Sequence, residues 1–257
     1  VHISTQLSIS NIEGVKFYAQ FAEVIVLARE LTYGQLKKIC DQIRQQNITS
    51  PGGNLVEIEI FAHGAMCVAI SGTCSMSLAT FHASANRGSC FQNCRRTYRV
   101  IDEVNQEELV LDNQYIMSPK DLCTISFLDQ LLASGISYLK IEGRGRPADY
   151  VFKTTKAYCE AIDSIENKTY TNEKVSQWLN ELESVYNKGF WHGGYYLGKS
   201  LGEWSGVYGS ASKTEKIFNP KQIALLKILL KKIEAKTQKQ KNSHPFGKIS
   251  WATWIVA

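Results

Sequence analysis

Two hydrophobic periods alternate along this chain, and that alternation narrows the fold more than any other feature. Residues 23–28, EVIVLA, form an unbroken apolar run, the pattern of a strand buried on both faces. Residues 33–46 then place Leu36, Ile39, Cys40 and Ile43 on one helical stripe. The pair of signals recurs. HISTQ (2–6) reads as a short strand, and Asn11 is placed to cap a helix running to about Phe21. VEIEIFA (56–62) is the next strand. Ser118 and Pro119 have the chemistry of a helix start and Gly135 that of a stop. ISYLKI (136–141) is a strand, and Val151, Thr155, Tyr158, Ile162 and Ile165 mark a long amphipathic helix. The sum is four β-α units with one long break between His63 and Ser118. Such alternation predicts a parallel sheet with helical crossovers. Four units are half of an eightfold barrel, and an open doubly wound sheet is the competing architecture. GxGxxG does not occur, so dinucleotide binding lacks support.

Charge is divided unevenly. The 257 residues carry a net charge of +5, but residues 211–257 hold ten Lys against two Glu, a net of +8, which leaves 1–210 at −3. Bulk charge is therefore no argument that the body binds nucleic acid. No apolar run approaches the roughly 18 residues of a membrane span. The opening VHISTQLSIS resembles neither a signal nor a transit peptide. Val1 where an initiator Met would stand suggests a processed chain or a fragment. The expectation is a cytoplasmic protein.

In either architecture the chemistry belongs at the C-terminal ends of the strands. Those ends read Thr5-Gln6, Arg29-Glu30, His63, then Glu142 and Arg144. Of seven cysteines, Cys40 and Cys159 fall on apolar stripes and read as small buried hydrophobes. Cys67, Cys74, Cys90, Cys94 and Cys123 cluster in the middle of the chain. Disulfides need an oxidising compartment that nothing here indicates. Zinc favours C-x2-C knuckles, which are absent. Iron–sulfur clusters accept widely varied spacings, so spacing ranks them slightly above zinc and both above disulfides. Cys123 is expected in the first turn of the Ser118-Pro119 helix, where free N–H groups would stabilise a thiolate. The arm SANRGSCFQNCRRTYR carries Arg87, Arg95, Arg96 and Arg99. They read either as a solvated basic arm or as a binder of anionic substrate or RNA phosphate.

Glu59-x-Phe61-x-x-Gly64-Ala65-Met66-Cys67-x4-Gly72-x-Cys74-x-Met76-Ser77 resembles the signature of the collagenase-like peptidase family U32. Asn86-Arg87-Gly88-Ser89-Cys90, Cys94-Arg95-Arg96, Ser118-Pro119-Lys120-Asp121-Leu122-Cys123 and Lys140-Ile141-Glu142-Gly143-Arg144 extend the resemblance, which runs from about His2 to Gly209. It implies a TIM-type (β/α)8 barrel, of which residues 1–209 look like the C-terminal half, with a Cys-rich insertion at 64–117. The first half would lie upstream or on a partner subunit. It also implies hydroxylation chemistry: 5-hydroxyuridine at the tRNA wobble position with prephenate as co-substrate, 5-hydroxycytidine in 23S ribosomal RNA, or a ubiquinone ring. The tRNA branch is the most similar. The ligands of a 4Fe-4S cluster carry over to Cys67, Cys74, Cys90 and Cys123, with Cys94 as the alternative fourth.

Within that frame His63 is the expected proton donor or substrate contact. Strand alternation points Glu59 the same way as Phe61 and His63, and Glu59 and Glu142 are candidate linings of the barrel mouth. Arg87, Arg95, Arg96, Arg144 and Arg146 are the candidate substrate-binding cations. GFWHGGYYLG (189–198) is either an aromatic platform for an unstacked base or a packed connection. Residues 210–257 do not look like the family: Asn219-Pro220 would open a basic amphipathic helix with Ile223, Leu226, Leu230 and Ile233 on one stripe. Three functions compete: iron–sulfur-dependent RNA hydroxylation, a collagenase-like peptidase, and a non-catalytic fragment needing a partner. A peptidase would have to draw its nucleophile and base from Cys67 and His63, since HExxH and GxSxG are absent.

Overall fold

The computed structural model describes residues 1–143 and 145–206. Arg144 and the predicted tail helix at 219 lie outside the described residues. The architecture is mixed α/β with a parallel sheet. Strands β1 (His2–Ile3), β2 (Val24–Val26), β3 (Glu57–Gly64) and β7 (Tyr138–Ile141) lie side by side in that order, all parallel. Every residue of β2 is buried, as its continuous apolar run requires. Helix α1 (Ile12–Ala19) starts where Asn11 accepts the Gly14 N–H. Helix α2 (Tyr33–Gln45) opens on a reciprocal Thr32–Gln35 capping box and buries Leu36, Ile39, Cys40 and Ile43. Between β3 and residue 117 the elements are short: helix α3 (Met76–Phe81), 3-10 turns at Ala85–Arg87 and Asn93–Arg95, and the hairpin β4 (Val100–Ile101) with β5 (Glu108–Leu109).

One predicted helix start is wrong. Ser118-Pro119 leads into a strand, β6 (Asp121–Cys123). The reason is tertiary. The Ser118 carbonyl accepts the Ser205 N–H at 2.7 Å, Ser205 Oγ donates to Ser118 Oγ at 2.8 Å, and Lys120 N–H donates to the Glu203 carbonyl at 3.0 Å. Paired to 203–205, residues 118–120 stay extended, and the helix α4 (Leu128–Ala133) begins only after a 3-10 turn at Ile125–Phe127. Its predicted stop holds, because Gly135 takes φ +91° with the Arg44 guanidinium against it. Strand β6 runs antiparallel to the end of β3, pairing His63 with Cys123.

The long predicted helix is α5 (Ala148–Glu166), followed by α6 (Asn172–Glu183) and β8 (Phe190–His192), which pairs parallel to β6. Trp191 is fully buried and Tyr196 nearly so, its hydroxyl donating to the Phe61 carbonyl at 2.9 Å. The Trp191 and Tyr196 rings are packed and not open to a base, while His192 and Leu197 are exposed.

Candidate functional site

A cavity of about 370 Å³ opens at the C-terminal ends of β1, β2 and β7. Thr5, Gln6, Arg29, Phe61, Lys140 and Glu142 line it, together with Cys67, Cys74 and Cys90. The thiol loop reaches it through two glycines. Gly64 has φ +107°, and a Cβ there would sit 2.6 Å from the Glu142 carbonyl oxygen. Gly72 has φ +75°, and its Cβ would stand 1.9 Å from the Gln6 carbonyl oxygen, so no side chain fits. The tip of β2 holds the loop down. Glu30 accepts the Ser71 N–H at 2.9 Å and the Ser71 hydroxyl at 3.1 Å, while an Arg29 N–H of the guanidinium donates to the Ala65 carbonyl at 3.2 Å.

A second tether carries the other thiols. Phe91 N–H donates to Ser77 Oγ at 3.0 Å. Buried Asn93 donates to the Met76 carbonyl at 3.3 Å and to Thr80 Oγ1 at 3.0 Å. Both anchors lie on α3, which starts two residues after Cys74. Burial raises the Cys67 thiol pKa, Arg29 opposes this, and the neighbouring Cys74 and Cys90 add to it. Burial also raises that of Cys94, with Cys67 and Cys90 adding and Arg95 and Lys188 opposing. Cys67 thus lies within electrostatic reach of Cys74, Cys90 and Cys94. In donor type and number they fit an iron–sulfur cluster. Among the described residues no three His, Cys, Asp or Glu side chains converge closely enough to hold a metal ion as they stand.

Cys123 stands apart from this group. It sits on a strand rather than in a helical first turn, has no exposed surface, and does not line the cavity. Its thiol pKa is pushed up to about 12, chiefly by burial, with Tyr158 hydrogen-bonded beside it. His63 is next to it and also off the cavity. It is 1% exposed, enclosed by the rings of Tyr150, Tyr158 and Phe190 at 6.1, 5.5 and 5.4 Å. Burial lowers its pKa to about 4, against a smaller opposing pull from Asp121. The alternation reading fails here for a local reason. The β3–β7 register slips between Phe61 and His63, so two residues of β3 face one of β7. A bulge of this kind re-aims the side chains that follow it.

Glu59 is buried too, at 1% exposure, where Lys140 Nζ lies 3.0 Å and His2 Nδ1 3.2 Å from its carboxylate. It is the partner of Lys140 and the His2 imidazole and does not line the cavity. Glu142 does line it. Its N–H donates to the His63 carbonyl and its carbonyl accepts the Tyr150 hydroxyl, each at 2.9 Å. Arg29 and Lys140 join the site in the structure: Arg29 is the tip of β2, and Lys140 pairs across from Phe61.

The nominated arginines lie nearby on more open surface. Arg87 and Arg96 are exposed, and the Arg96 guanidinium lies 5.3 Å from the Phe81 ring. Arg95 donates to Gln92 Oε1 at 2.7 Å. Arg146 stacks on the Tyr186 ring at 4.0 Å. Arg44 and Arg99 are committed to carboxylates. Among the described residues Arg87, Arg95, Arg96 and Arg146 form no such ion pair.

Peptidase family U32 matches residues 1–206. A protein named "Collagenase" from Porphyromonas gingivalis is 50% identical over 87% of this chain and 54% of its own. "tRNA hydroxylation protein P1" of Bacillus subtilis is 33% identical over 73% of this chain and 43% of its own. "23S rRNA 5-hydroxycytidine C2501 synthase" of Escherichia coli is 37% identical over 64% of this chain and 23% of its own. No solved structure gives a significant match. The chain spans about half the length of the curated relatives it matches first. It belongs to peptidase family U32.

Proposed function

We propose that this U32 family member is an iron–sulfur-dependent RNA-modifying enzyme that hydroxylates a pyrimidine at C5, with tRNA wobble uridine as the first substrate to test. The observation that carries the reading is the cavity rim. Cys67, Cys74 and Cys90 line one cavity, Cys94 is within electrostatic reach of Cys67 and Cys90, and four arginines that form no ion pair among the described residues lie on the neighbouring surface. Relatives named for tRNA and rRNA hydroxylation support the same class. Cytoplasmic location follows from such a substrate, and among the described residues no helix is long and apolar enough to cross a membrane. The four parallel strands fit half of a TIM-type barrel, with the other half supplied by a preceding segment or a partner.

Cys67, Cys74, Cys90 and Cys94 would hold the cluster, with Cys94 taking the place assigned to Cys123. When bound, a 4Fe-4S group supplies an electron relay or a Lewis-acid iron position. The chain's own residues do the rest. Arg87, Arg95, Arg96 and Arg146 neutralise phosphates of the RNA. Glu142, on the cavity wall, would take the proton leaving C5. Glu59 is already committed to Lys140 and His2, and His63 is enclosed and neutral. The oxygen donor, prephenate or another small molecule, shares the cavity.

The relatives named "Collagenase" favour a peptidase as the second reading. A thiol peptidase needs a base beside its nucleophile, yet none of the described residues lining the cavity is a histidine. Anaerobic purification and nucleoside mass spectrometry separate the two readings. RNA hydroxylation predicts a coloured protein with about four irons and four sulfides per chain, and loss of a 5-hydroxypyrimidine from the RNA of a deletion strain. A colourless protein that cleaves gelatin, with the RNA unchanged, would overturn it.

A further inference from the structure

An unstacked RNA base needs an open aromatic face to rest on, and the buried rings of Trp191 and Tyr196 offer none. The thiol-bearing arm does. Phe81 closes α3, and Phe91 directly follows Cys90. Their ring centroids are 4.9 Å apart with the planes 33° from one another, yet Phe81 is 39% and Phe91 54% exposed. The Arg96 guanidinium lies 5.3 Å from the Phe81 ring. The pair is held in place from below. The Phe91 N–H donates to Oγ of buried Ser77, the Asn93 side chain donates to the Met76 carbonyl and to Thr80, and the Tyr98 hydroxyl donates to the Asn93 carbonyl at 2.7 Å. A face fixed beforehand loses little entropy when a ligand covers it.

We propose that Phe91, supported by Phe81, is a stacking platform for a nucleobase of single-stranded RNA beside the thiol-lined cavity, with Arg96 on the adjoining phosphate. The assignment rests on the RNA reading and adds to it the place where a base outside the cavity is held. Charge selects RNA over an apolar protein surface. Between Glu59 and Asp102 the chain has four arginines and no acid. Arg95 is near enough to Cys94 to favour its thiolate, and Arg99 is paired with Glu108. Arg96, with Arg87, is left for phosphate. Phe17 and Phe21 on α1 are as exposed and have centroids 5.6 Å apart, but no arginine precedes Arg29, and Lys16 beside them is paired with Glu13. Position agrees with charge. Cys90, next to Phe91, and Cys74, two residues before α3, both line the cavity. A base stacked on Phe91 is therefore a neighbour of the one that enters the cavity.

The test is fluorescence anisotropy of the anaerobically purified 257-residue chain with an RNA hairpin carrying a mixed-base loop, and with the same hairpin whose loop is abasic. Both present the same phosphates, so the lysine-rich tail and the arginines bind them alike. The mixed-base loop should bind about fivefold more tightly or better. Phe91→Ala should erase that preference while leaving the abasic loop within about twofold of wild type. Phe91→Leu keeps apolar area without a π face and should lose the preference too, whereas Phe91→Tyr should keep it. Arg96→Gln should weaken both loops by a similar factor and flatten the salt dependence. Thermal melting reports folding, and Phe91→Leu against Phe91→Tyr carries the comparison if Phe91→Ala does not fold. Equal binding of the two loops by the wild-type chain, a full preference kept in Phe91→Leu, or equal losses on both loops in Phe91→Ala would each overturn the proposal. So would a self-associated chain that Phe91→Ala turns into monomer with the loop preference unchanged, which would make the pair a protein contact. Iron content and nucleoside analysis read the hydroxylation function separately, so a chain that has both but no loop preference fails on this point alone.

Discussion

Two groups of sulfur and imidazole chemistry sit on either side of the same strand end, and their surroundings give them opposite characters. On the cavity side, Cys67, Cys74 and Cys90 stand on loops, partly open, with Arg29 beside Cys67. On the other side, Cys123 and His63 face each other across the β3–β6 pairing, walled by Tyr150, Tyr158 and Phe190. Tyr158 ties that second group together. Its hydroxyl donates to the Ala62 carbonyl at 2.9 Å, accepts the Thr124 N–H at 3.1 Å and lies 3.4 Å from His63 Nδ1. Residue type alone would give both groups the same job. Burial separates them: the first is accessible to a ligand, and the second is a polar core whose groups satisfy one another.

Metal loading is where the difference should be largest. Cys67→Ser and Cys74→Ser should abolish iron in anaerobically purified protein, and Cys94→Ser should lower it to a small residue. Cys123→Ser should keep wild-type iron and sulfide. Metal analysis of the four variants decides the matter, and the reverse pattern for Cys94 and Cys123 would move the fourth ligand back behind the sheet.

The buried side has its own sensitive pair. Lys188 Nζ lies 3.2 Å from Asp121 Oδ1, and both side chains are at most 2% exposed. Lys188 also donates to the Pro119 carbonyl. Burial lowers the Lys188 pKa while Asp121 raises it. Lys188→Met leaves the Asp121 carboxylate buried and unpaired, which should cost about 3–5 kcal/mol in denaturant unfolding. Adding Asp121→Leu should recover most of that loss. If Lys188→Met alone is harmless, water reaches the pair and the contrast between the two sides weakens.

Much of this layout was legible in the sequence, and the failures have local causes. The Asn11 cap, the α2 stripe and the apolar run of β2 are each determined by neighbours close in sequence, so period and capping chemistry were enough to find them. Ser118-Pro119 failed because its conformation is decided by residues 203–205, more than eighty positions away. His63 failed because one bulge breaks the two-residue period after Phe61, and composition carries no mark of it. Arg29 was visible as a strand tip, but only packing shows its guanidinium against the Phe61 ring.

The histidine sharpens the comparison through pH. His63 is held at about 4 in the folded chain against 6.5 for an ordinary histidine. Between those values the unfolded chain binds a proton that the native chain refuses. Stability is therefore complete above about pH 6.5 and falls as pH drops toward 4. The shift corresponds to about 3 kcal/mol. His63→Phe should flatten that part of the stability–pH curve, measured by denaturant midpoints in a pH series. An unchanged slope would mean the imidazole is solvated in the folded chain.

The smallest effect concerns how the loop on the open side is held. Gly53 and Gly72 both have positive φ, +80° and +75°. A Cβ at Gly53 meets nothing within 4 Å, whereas one at Gly72 would stand 1.9 Å from the Gln6 carbonyl oxygen. Gly53→Ala should thus cost only the left-handed backbone term, about 1 kcal/mol. Gly72→Ala adds a backbone clash, which the loop relieves by lifting away from β1. Because the loop is at the surface, the total should stay near 2 kcal/mol, yet Cys74 moves with it. Iron content should fall in Gly72→Ala and hold in Gly53→Ala. Equal iron in both would show that the cavity tolerates a displaced Cys74, and that the rim's geometry is set by the α3 tether instead.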